Sequence, residues 1–118
     1  MIRFEIPGAP PLLLNARLHW AQKAKLAKQW KKHVYEATLG RAPATPYKRA
    51  IVRYVRHCGY KRPDHDNLVS GFKWVQDGLV EARIISDDTM ENIETYHEWR
   101  KARPSEKRIE VEIVEIVE

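Results

Sequence analysis

Two acidic clusters in the second half of the chain could together hold a divalent metal. Asp64 and Asp66 stand one residue apart, and the pair Asp87-Asp88 follows later. Carboxylates from separate segments can surround Mg²⁺ and leave coordination positions open for water and a phosphate. We therefore expect the clusters to meet in space, with Asp64, Asp66 and Asp88 as ligands of Mg²⁺ or Mn²⁺. Asp87 would assist them, and the chemistry would be hydrolysis of a phosphodiester in nucleic acid.

A lysine joins this acidic set if residues 66–80 form one helix. With ~100° of rotation per residue, Lys73 and Asp77 fall on the same side of that helix as Asp66. The opposite side carries an apolar stripe that we expect to be buried, made of Leu68, Phe72, Val75 and Leu79. On the polar side, Lys73 could contact the scissile phosphate or orient the attacking water. Equally, it could only offset repulsion among the carboxylates.

Simpler roles compete with the metal site. Asp66 or Asn67 could be the N-cap of the helix, because these residue types are favoured there. The pair Asp87-Asp88 could be a turn. Capping does not account for Asp64, nor for a second acidic pair downstream.

The charges of the chain are divided between its halves. Residues 1–63 carry fourteen Lys and Arg against two acids, a net charge of +12. Residues 64–118 carry seven against fourteen, a net charge of −7, and the two together make the +5 of the whole chain. Such asymmetry favours a polyanionic partner held near a carboxylate site, although separated solvated faces would give the same pattern. The candidate DNA contacts are Lys25, Lys28, Lys32, Arg56, Lys61 and Arg62.

The pattern of apolar residues predicts a single α+β domain, residues 1–118, with the element order β-α-β-α-β-β. Alternation predicts strands over residues 2–6, 49–58, 92–101 and 109–113, with a hairpin-like turn between the last two. Helical spacing predicts helices over residues 16–39 and 66–80. We expect these elements to form a mixed sheet with two packed helices.

Several classes of protein are disfavoured by what the sequence lacks. With Cys58 as its one cysteine, the chain can form no internal disulfide, and a reducing cytoplasm is the expected compartment. No signal pattern or membrane-length apolar run is present, so we expect no membrane partner. No phosphate-binding loop or dinucleotide fingerprint is present, so we expect no nucleotide cofactor. The histidines show no zinc-ligand spacing.

The central motif resembles the RusA family of Holliday junction resolvases. The matching residues are Lys-Arg-Pro-Asp64-His-Asp66-Asn67, then Lys73, Asp77-Gly-Leu79 and Asp87-Asp88. The N-terminal strand, the Pro-rich turn with Asn15 and the basic helix also fit, so the resemblance covers nearly the whole chain. Members of this family are small, dimeric, magnesium-dependent endonucleases of phages and bacteria.

The resemblance implies roles for four residues and a substrate. Asp64, Asp66 and Asp88 would be the metal-binding acids and Lys73 the essential lysine. The family places this lysine four residues after the second aspartate, where this chain has Ser70; Lys73 comes seven residues after it. The implied function is resolution of four-way junctions by paired symmetric nicks, made by a homodimer in DNA recombination and repair. The alternatives are a branched-DNA-binding protein without catalysis and a metal-dependent nuclease for other DNA structures.

Overall fold

Four strands form the sheet, and alternation of apolar and polar residues explains two of them directly. A computed structural model describes residues 1–14 and 17–117, so Asn15 of the predicted turn and Ala16 lie outside it. The strands are β1 (Ile2–Pro7), β2 (Ala50–His57), β3 (Ile93–Arg100) and β4 (Arg108–Glu115). In β1 and β4 every second residue is buried, and these apolar residues are isoleucine, phenylalanine and valine. The predicted α+β fold with a mixed sheet is confirmed.

The sheet has the strand order β1-β4-β2-β3. Strand β4 runs antiparallel to both β1 and β2, whereas β2 and β3 are parallel. The predicted hairpin between the last two strands is therefore wrong. A 3₁₀ turn (Pro104–Glu106) instead carries the chain past the end of β2 and into the middle of the sheet. The helical segment between β2 and β3 provides the crossover that a parallel pair requires.

Helices cover one face of the sheet. They are α1 (Trp20–Ala37), α2 (His65–Ser70) and α3 (Lys73–Glu81). Helix α1 buries Trp30 and Val34, and it approaches α3 so closely that a Cβ at Gly78 would lie 3.0 Å from the Cβ of Val34. Within the described part of the chain, no helix has the length and apolar character needed to cross a bilayer.

The helix predicted over residues 66–80 is interrupted, and this part of the prediction is wrong. The α-helical hydrogen-bonding pattern ends at Gly71. Its backbone nitrogen lies 3.2 Å from the carbonyl oxygens of both Asn67 and Leu68, so the last turn has 3₁₀ character. A Cβ at Gly71 would lie 3.0 Å from Leu12 Cδ2 and 3.2 Å from Arg56 Nη1, so tertiary contacts crowd the helix here. The predicted buried stripe is nevertheless confirmed, because its four residues are almost fully inaccessible: Leu68, Phe72, Val75 and Leu79.

The other face of the sheet is covered by ion pairs. Arg3 contacts Glu110 at 3.0 Å, and Arg108 contacts Glu5 at 3.3 Å. The further pairs on this face join Arg53 to Glu98 and Glu112, Arg100 to Glu98, and His57 to Glu110. The basic residues of the strands are therefore largely neutralised by neighbouring glutamates.

Candidate functional site

A cleft of about 260 Å³ lies between α3 and β3 and gathers several of the predicted site residues. Its polar lining consists of Ser70, Lys73, Gln76, Asp77, Asp88, Thr95 and His97. Lys73 and Asp88, which lie in separate segments of the sequence, therefore line the same cleft. Val69 and Phe72 supply the apolar part of the wall.

Lys73 lies at the mouth of the cleft on the first turn of α3. Its side chain is 67% exposed, and its ammonium nitrogen is 3.8 Å from Asp77 Oδ2. This is the i,i+4 spacing at which side chains of a helix become neighbours. The pairing is worth little energy at such exposure, so the ammonium is free to exchange Asp77 for a phosphate.

Ser70 stands where the family pattern has its lysine, and it lines the same cleft as Lys73. The Ser70 hydroxyl donates to the carbonyl oxygen of Asn67 at 2.7 Å, and it accepts from the backbone N–H of Leu14 at 3.4 Å. The three-residue displacement of the lysine therefore moves it from α2 to α3 without taking it out of the cleft.

Tyr54 is fully buried in β2 and packs behind the lining residues Phe72 and His97 of the cleft. Its hydroxyl donates to Gln76 Oε1 at 2.8 Å. Burial raises the pKa of Tyr54 well above its ordinary value, and the negative charges of Asp88 and Asp77 raise it further. The phenol is therefore a permanent hydrogen-bond donor, and both carboxylates act on it from the cleft.

His97 is stacked on Tyr54, with ring centroids 5.0 Å apart. Burial is the main cause that lowers the pKa of His97 to about 4, and electrostatic repulsion from His65, whose ring centroid is 6.4 Å away, also lowers it. The imidazole is thus neutral at pH 7 and can accept a hydrogen bond.

The two aspartates of the downstream pair have different surroundings. Asp87 is exposed and its Oδ1 accepts from the backbone N–H of Asp88 at 2.7 Å, so it fastens the turn. The loop is held further by Asn92, whose side-chain amide donates to the carbonyl oxygen of Lys48 at 2.9 Å. Asp88 is half-buried and lines the cleft, where Asp87 does not.

The upstream aspartates lie at the start of α2. Asp64 is the N-cap, because its Oδ1 accepts from the backbone N–H of Asn67 at 2.8 Å. The expectation that capping does not account for Asp64 is therefore wrong. Asp66 is exposed in the first turn and lies one turn before Ser70. Residues four apart share a face of a helix, so Asp66 and Ser70 lie on the same side of α2.

The predicted metal ligands are only partly gathered. Within residues 1–14 and 17–117, no group of three or more His, Cys, Asp or Glu side chains is placed to hold a metal ion. Asp88 shares the cleft with Asp77, whereas Asp64 and Asp66 lie at the start of α2 and do not line it. Asp77 was expected on the polar side of the helix but not as a site residue.

The predicted DNA contacts divide into exposed and buried residues. The lysines of α1, Lys25, Lys28 and Lys32, are exposed, as are Lys61 and Arg62 in the loop before α2. Arg56 is only 7% exposed, and its guanidinium donates to the carbonyl oxygen of Pro10. Burial lowers the pKa of Arg56 from its ordinary value. The prediction that Arg56 contacts DNA is wrong, because its side chain points to the interior.

Sequence reasoning missed Asp77, Gln76 and His97 as members of the site. The signal for Asp77 is its position one turn after Lys73. The signal for His97 is its place in β3 on the same side as the apolar Ile93, since side chains two apart share a face of a strand. Nothing in the local sequence around Gln76 indicates its hydrogen bond to Tyr54, which joins two distant elements.

The cleft thus combines a cation, two carboxylates and a neutral imidazole, and the buried phenol of Tyr54 lies behind them. Carboxylate oxygens are the ligands that Mg²⁺ prefers, and a nearby ammonium stabilises negative charge on a reacting phosphate. Comparison with models of known protein families finds no match for this chain, and no curated protein matches it.

Proposed function

We propose that this protein is a magnesium-dependent endodeoxyribonuclease that resolves four-way DNA junctions by paired nicks. The observation that carries the proposal is the cleft in which Lys73, Asp77 and Asp88 lie together. Asp66, in the first turn of α2 and one turn before Ser70, would complete the set of acids that the RusA-like motif implies. These groups suit a reaction in which negative charge grows on a phosphate.

The donor set fits Mg²⁺. Magnesium is usually held by one or two carboxylates together with waters and the phosphates of a substrate, not by a closed protein cage. Asp88 and Asp77 are two carboxylates in one cleft, and both act on the Tyr54 phenol. Asp88 and Asp77 would hold the ion together with waters and the substrate phosphate. Asp66 and Asp64 are the further acids that the motif implies. The ion would supply Lewis-acid stabilisation of the phosphate and a more acidic water.

Four other residues would have separate roles in the reaction or in positioning the acids. Lys73, at the mouth of the cleft, contacts the scissile phosphate and stabilises its charge. Neutral His97 accepts a hydrogen bond from a water in the cleft and so orients it. Asp64 caps α2 and so fixes the first turn that carries Asp66. Asp87 fastens the turn that presents Asp88.

DNA binding is supported by where the unpaired cations lie. Within the described ranges, Lys25 and Lys28 of α1 and Lys61 and Arg62 of the loop before α2 make no ion pair. Lys32 is 3.9 Å from Glu36, a weak exposed pair that a phosphate can replace. Lysine and arginine bind DNA mainly by neutralising phosphates and releasing counterions.

Resolution of a junction requires two cuts related by symmetry. A homodimer with a two-fold axis supplies two equivalent clefts for opposing strands. The dimer, the role in recombination and repair, and an origin in the cytoplasm of a bacterium or phage-infected cell are parts of this proposal. They rest on the resemblance of the motif.

Cleavage of a synthetic mobile four-way junction tests the proposal. Wild type should make paired symmetric nicks with Mg²⁺ and none in EDTA, and Asp66→Asn should be inactive. Glu115→Gln is a matched control, because it removes an exposed carboxylate at the far end of β4. Cleavage that persists in EDTA, or that Asp66→Asn leaves intact, would contradict the proposal.

The second candidate is a branched-DNA-binding protein without catalysis. It is favoured by one observation, that Asp64 and Asp87 both use a carboxylate oxygen to bond their own backbone. Tight junction binding with no cleavage in Mg²⁺ or Mn²⁺ would support it. Preferential cleavage of flaps or single strands in a competition assay would indicate a nuclease with another substrate.

A further inference from the structure

Two groups of basic side chains stand out among the described residues, one paired with glutamates and one that makes no ion pair. The open face of the sheet holds the first group, with Arg3, Arg53 and Arg108 among its ion pairs. The loops after β2 and β3 hold exposed cations that make no ion pair within residues 1–14 and 17–117. They are Lys61, Arg62, Lys101, Arg103 and Lys107.

These cations share one surface because the two loops are joined. Strands β2 and β3 are parallel and end in register, His57 opposite Arg100, so the loops that follow lie at the same edge of the sheet. The backbone N–H of Ala102 donates to the carbonyl oxygen of Gly59 at 3.0 Å. Trp99 Nε1 also donates to the carbonyl oxygen of Cys58 at 2.8 Å.

An open aromatic ring lies among these cations. Tyr60 is 65% exposed, and Lys101 Nζ is 5.1 Å from the centroid of its ring. Together with Ala102, Arg103 and Glu106 they line a shallow pocket of about 410 Å³. The one acid of this pocket, Glu106, accepts from the backbone N–H of Arg103 at 3.4 Å. Basic grooves with exposed aromatic rings are the usual means of binding unpaired nucleotides.

We propose that Tyr60, Lys101, Arg103 and Lys107 extend the DNA contacts of Lys61 and Arg62 into one surface, the Tyr60 surface. The cations contact phosphates, and the Tyr60 ring stacks on a base that is unpaired at the branch point. Arg62 is two residues before Asp64, so a strand bound here leads to the start of α2. The inference rests on the proposed function for its DNA partner, but it concerns binding and not cleavage.

The cations are tested by a salt titration. Binding of a labelled four-way junction is followed by fluorescence anisotropy in EDTA, so that no cleavage occurs. The variant Lys101→Gln/Arg103→Gln should reduce the slope of log K against log salt by about 0.9 for each phosphate that the protein no longer neutralises. The control Lys48→Gln/Arg83→Gln removes two exposed charges at the opposite edge of the sheet, and its slope should equal that of wild type. Equal slopes for all three proteins would overturn the inference, as would equal reductions in the two variants.

The ring is tested by a pair of substitutions at Tyr60. Tyr60→Ala should weaken junction binding about tenfold, the effect of removing one base-aromatic stack. Tyr60→Phe should bind like wild type, because stacking requires the ring and not its hydroxyl. An unchanged affinity in Tyr60→Ala, or an equally weakened affinity in Tyr60→Phe, would overturn the stacking role.

The outcomes separate this inference from the proposed function. If wild type binds junctions with the expected slopes but cuts nothing in Mg²⁺, the Tyr60 surface stands and the nuclease proposal fails. If the double variant binds like wild type while Asp66→Asn abolishes cleavage, the nuclease stands and the surface fails. If wild type binds an acidic peptide through these cations and binds no DNA, both fail.

Discussion

Replacing Arg56 with alanine should weaken folding and leave DNA binding intact. The guanidinium lies beneath Gly71, donates to the carbonyl oxygen of Pro10 and is 7% exposed. It therefore holds the proline-rich segment against the interruption between α2 and α3. Lys61, a few residues along the chain, is exposed. Its replacement by alanine should leave the stability unchanged and weaken DNA binding.

The change in the free energy of unfolding of Arg56→Ala combines two destabilising effects and one stabilising effect. Leaving the buried Pro10 carbonyl without its donor costs roughly 1–3 kcal/mol. Deleting the Arg56 side chain also leaves a cavity beneath Gly71, which adds to the cost. Removing a desolvated charge offsets part of this. We expect the free energy of unfolding to fall by about 2–3 kcal/mol.

Two assays on the same variants check this reasoning. Urea unfolding, followed through the buried Trp30 and Trp74, should show the decrease for Arg56→Ala and a change within about ±0.5 kcal/mol for Lys61→Ala. Salt titration of DNA binding should show a slope reduced by about 0.9 for Lys61→Ala and unchanged for Arg56→Ala. A stable Arg56→Ala with a reduced slope would refute the interior role of Arg56.

Three further predictions concern the site itself. Asp64→Ala should lower the free energy of unfolding by about 1 kcal/mol while Asp64→Asn retains most of it, because Asn also caps helices; equal urea midpoints for the two would contradict the capping role. Lys73→Ala should slow junction cleavage about 100-fold or more, and adding Ser70→Lys should restore much of it, since both positions line the cleft; no recovery in the double variant would argue against a shared role. Because the folded pKa of His97 is lowered to about 4 from 6.5, protonation favours the unfolded state, so stability falls as the pH drops from about 6.5 to about 4 and is unaffected above that range. The ring is only partly buried, so solvent screening reduces the effect to about 1–2 kcal/mol, and urea melts of His97→Phe should lack this portion of the pH dependence; a pH profile identical to wild type would show that His97 does not titrate as expected.

Features that depend on local periodicity were predictable from the sequence. The alternation in residues 2–6 and 109–113 specifies which side chains are buried, because successive side chains of a strand point to opposite faces. The same rule also predicts that Arg56 is buried, because Arg56 lies on the same face of β2 as the buried residues Ala50, Val52 and Tyr54. The buried stripe of α2 and α3 was likewise readable from helical spacing.

Features that depend on distant contacts were not predictable. The helix is interrupted at Gly71 because Leu12 and Arg56 pack against it, and neither is near it in sequence. The insertion of β4 between β1 and β2 is a choice among long-range pairings that local patterns do not encode. The predicted meeting of the two acidic clusters was argued from chemistry. The tertiary fold brings Lys73 and Asp88 to one cleft, but neither Asp64 nor Asp66 lines it.

The most direct test of the cleft compares two adjacent carboxylates. Asp88 lines the cleft, whereas Asp87 bonds the backbone of its own turn. We expect Asp88→Asn to abolish Mg²⁺-dependent nicking of a four-way junction. Asp87→Asn should retain nicking, because an asparagine Oδ1 can still accept the hydrogen bond from the Asp88 N–H. Full activity in Asp88→Asn, or inactivity confined to Asp87→Asn, would contradict the assignment of this cleft as the catalytic site.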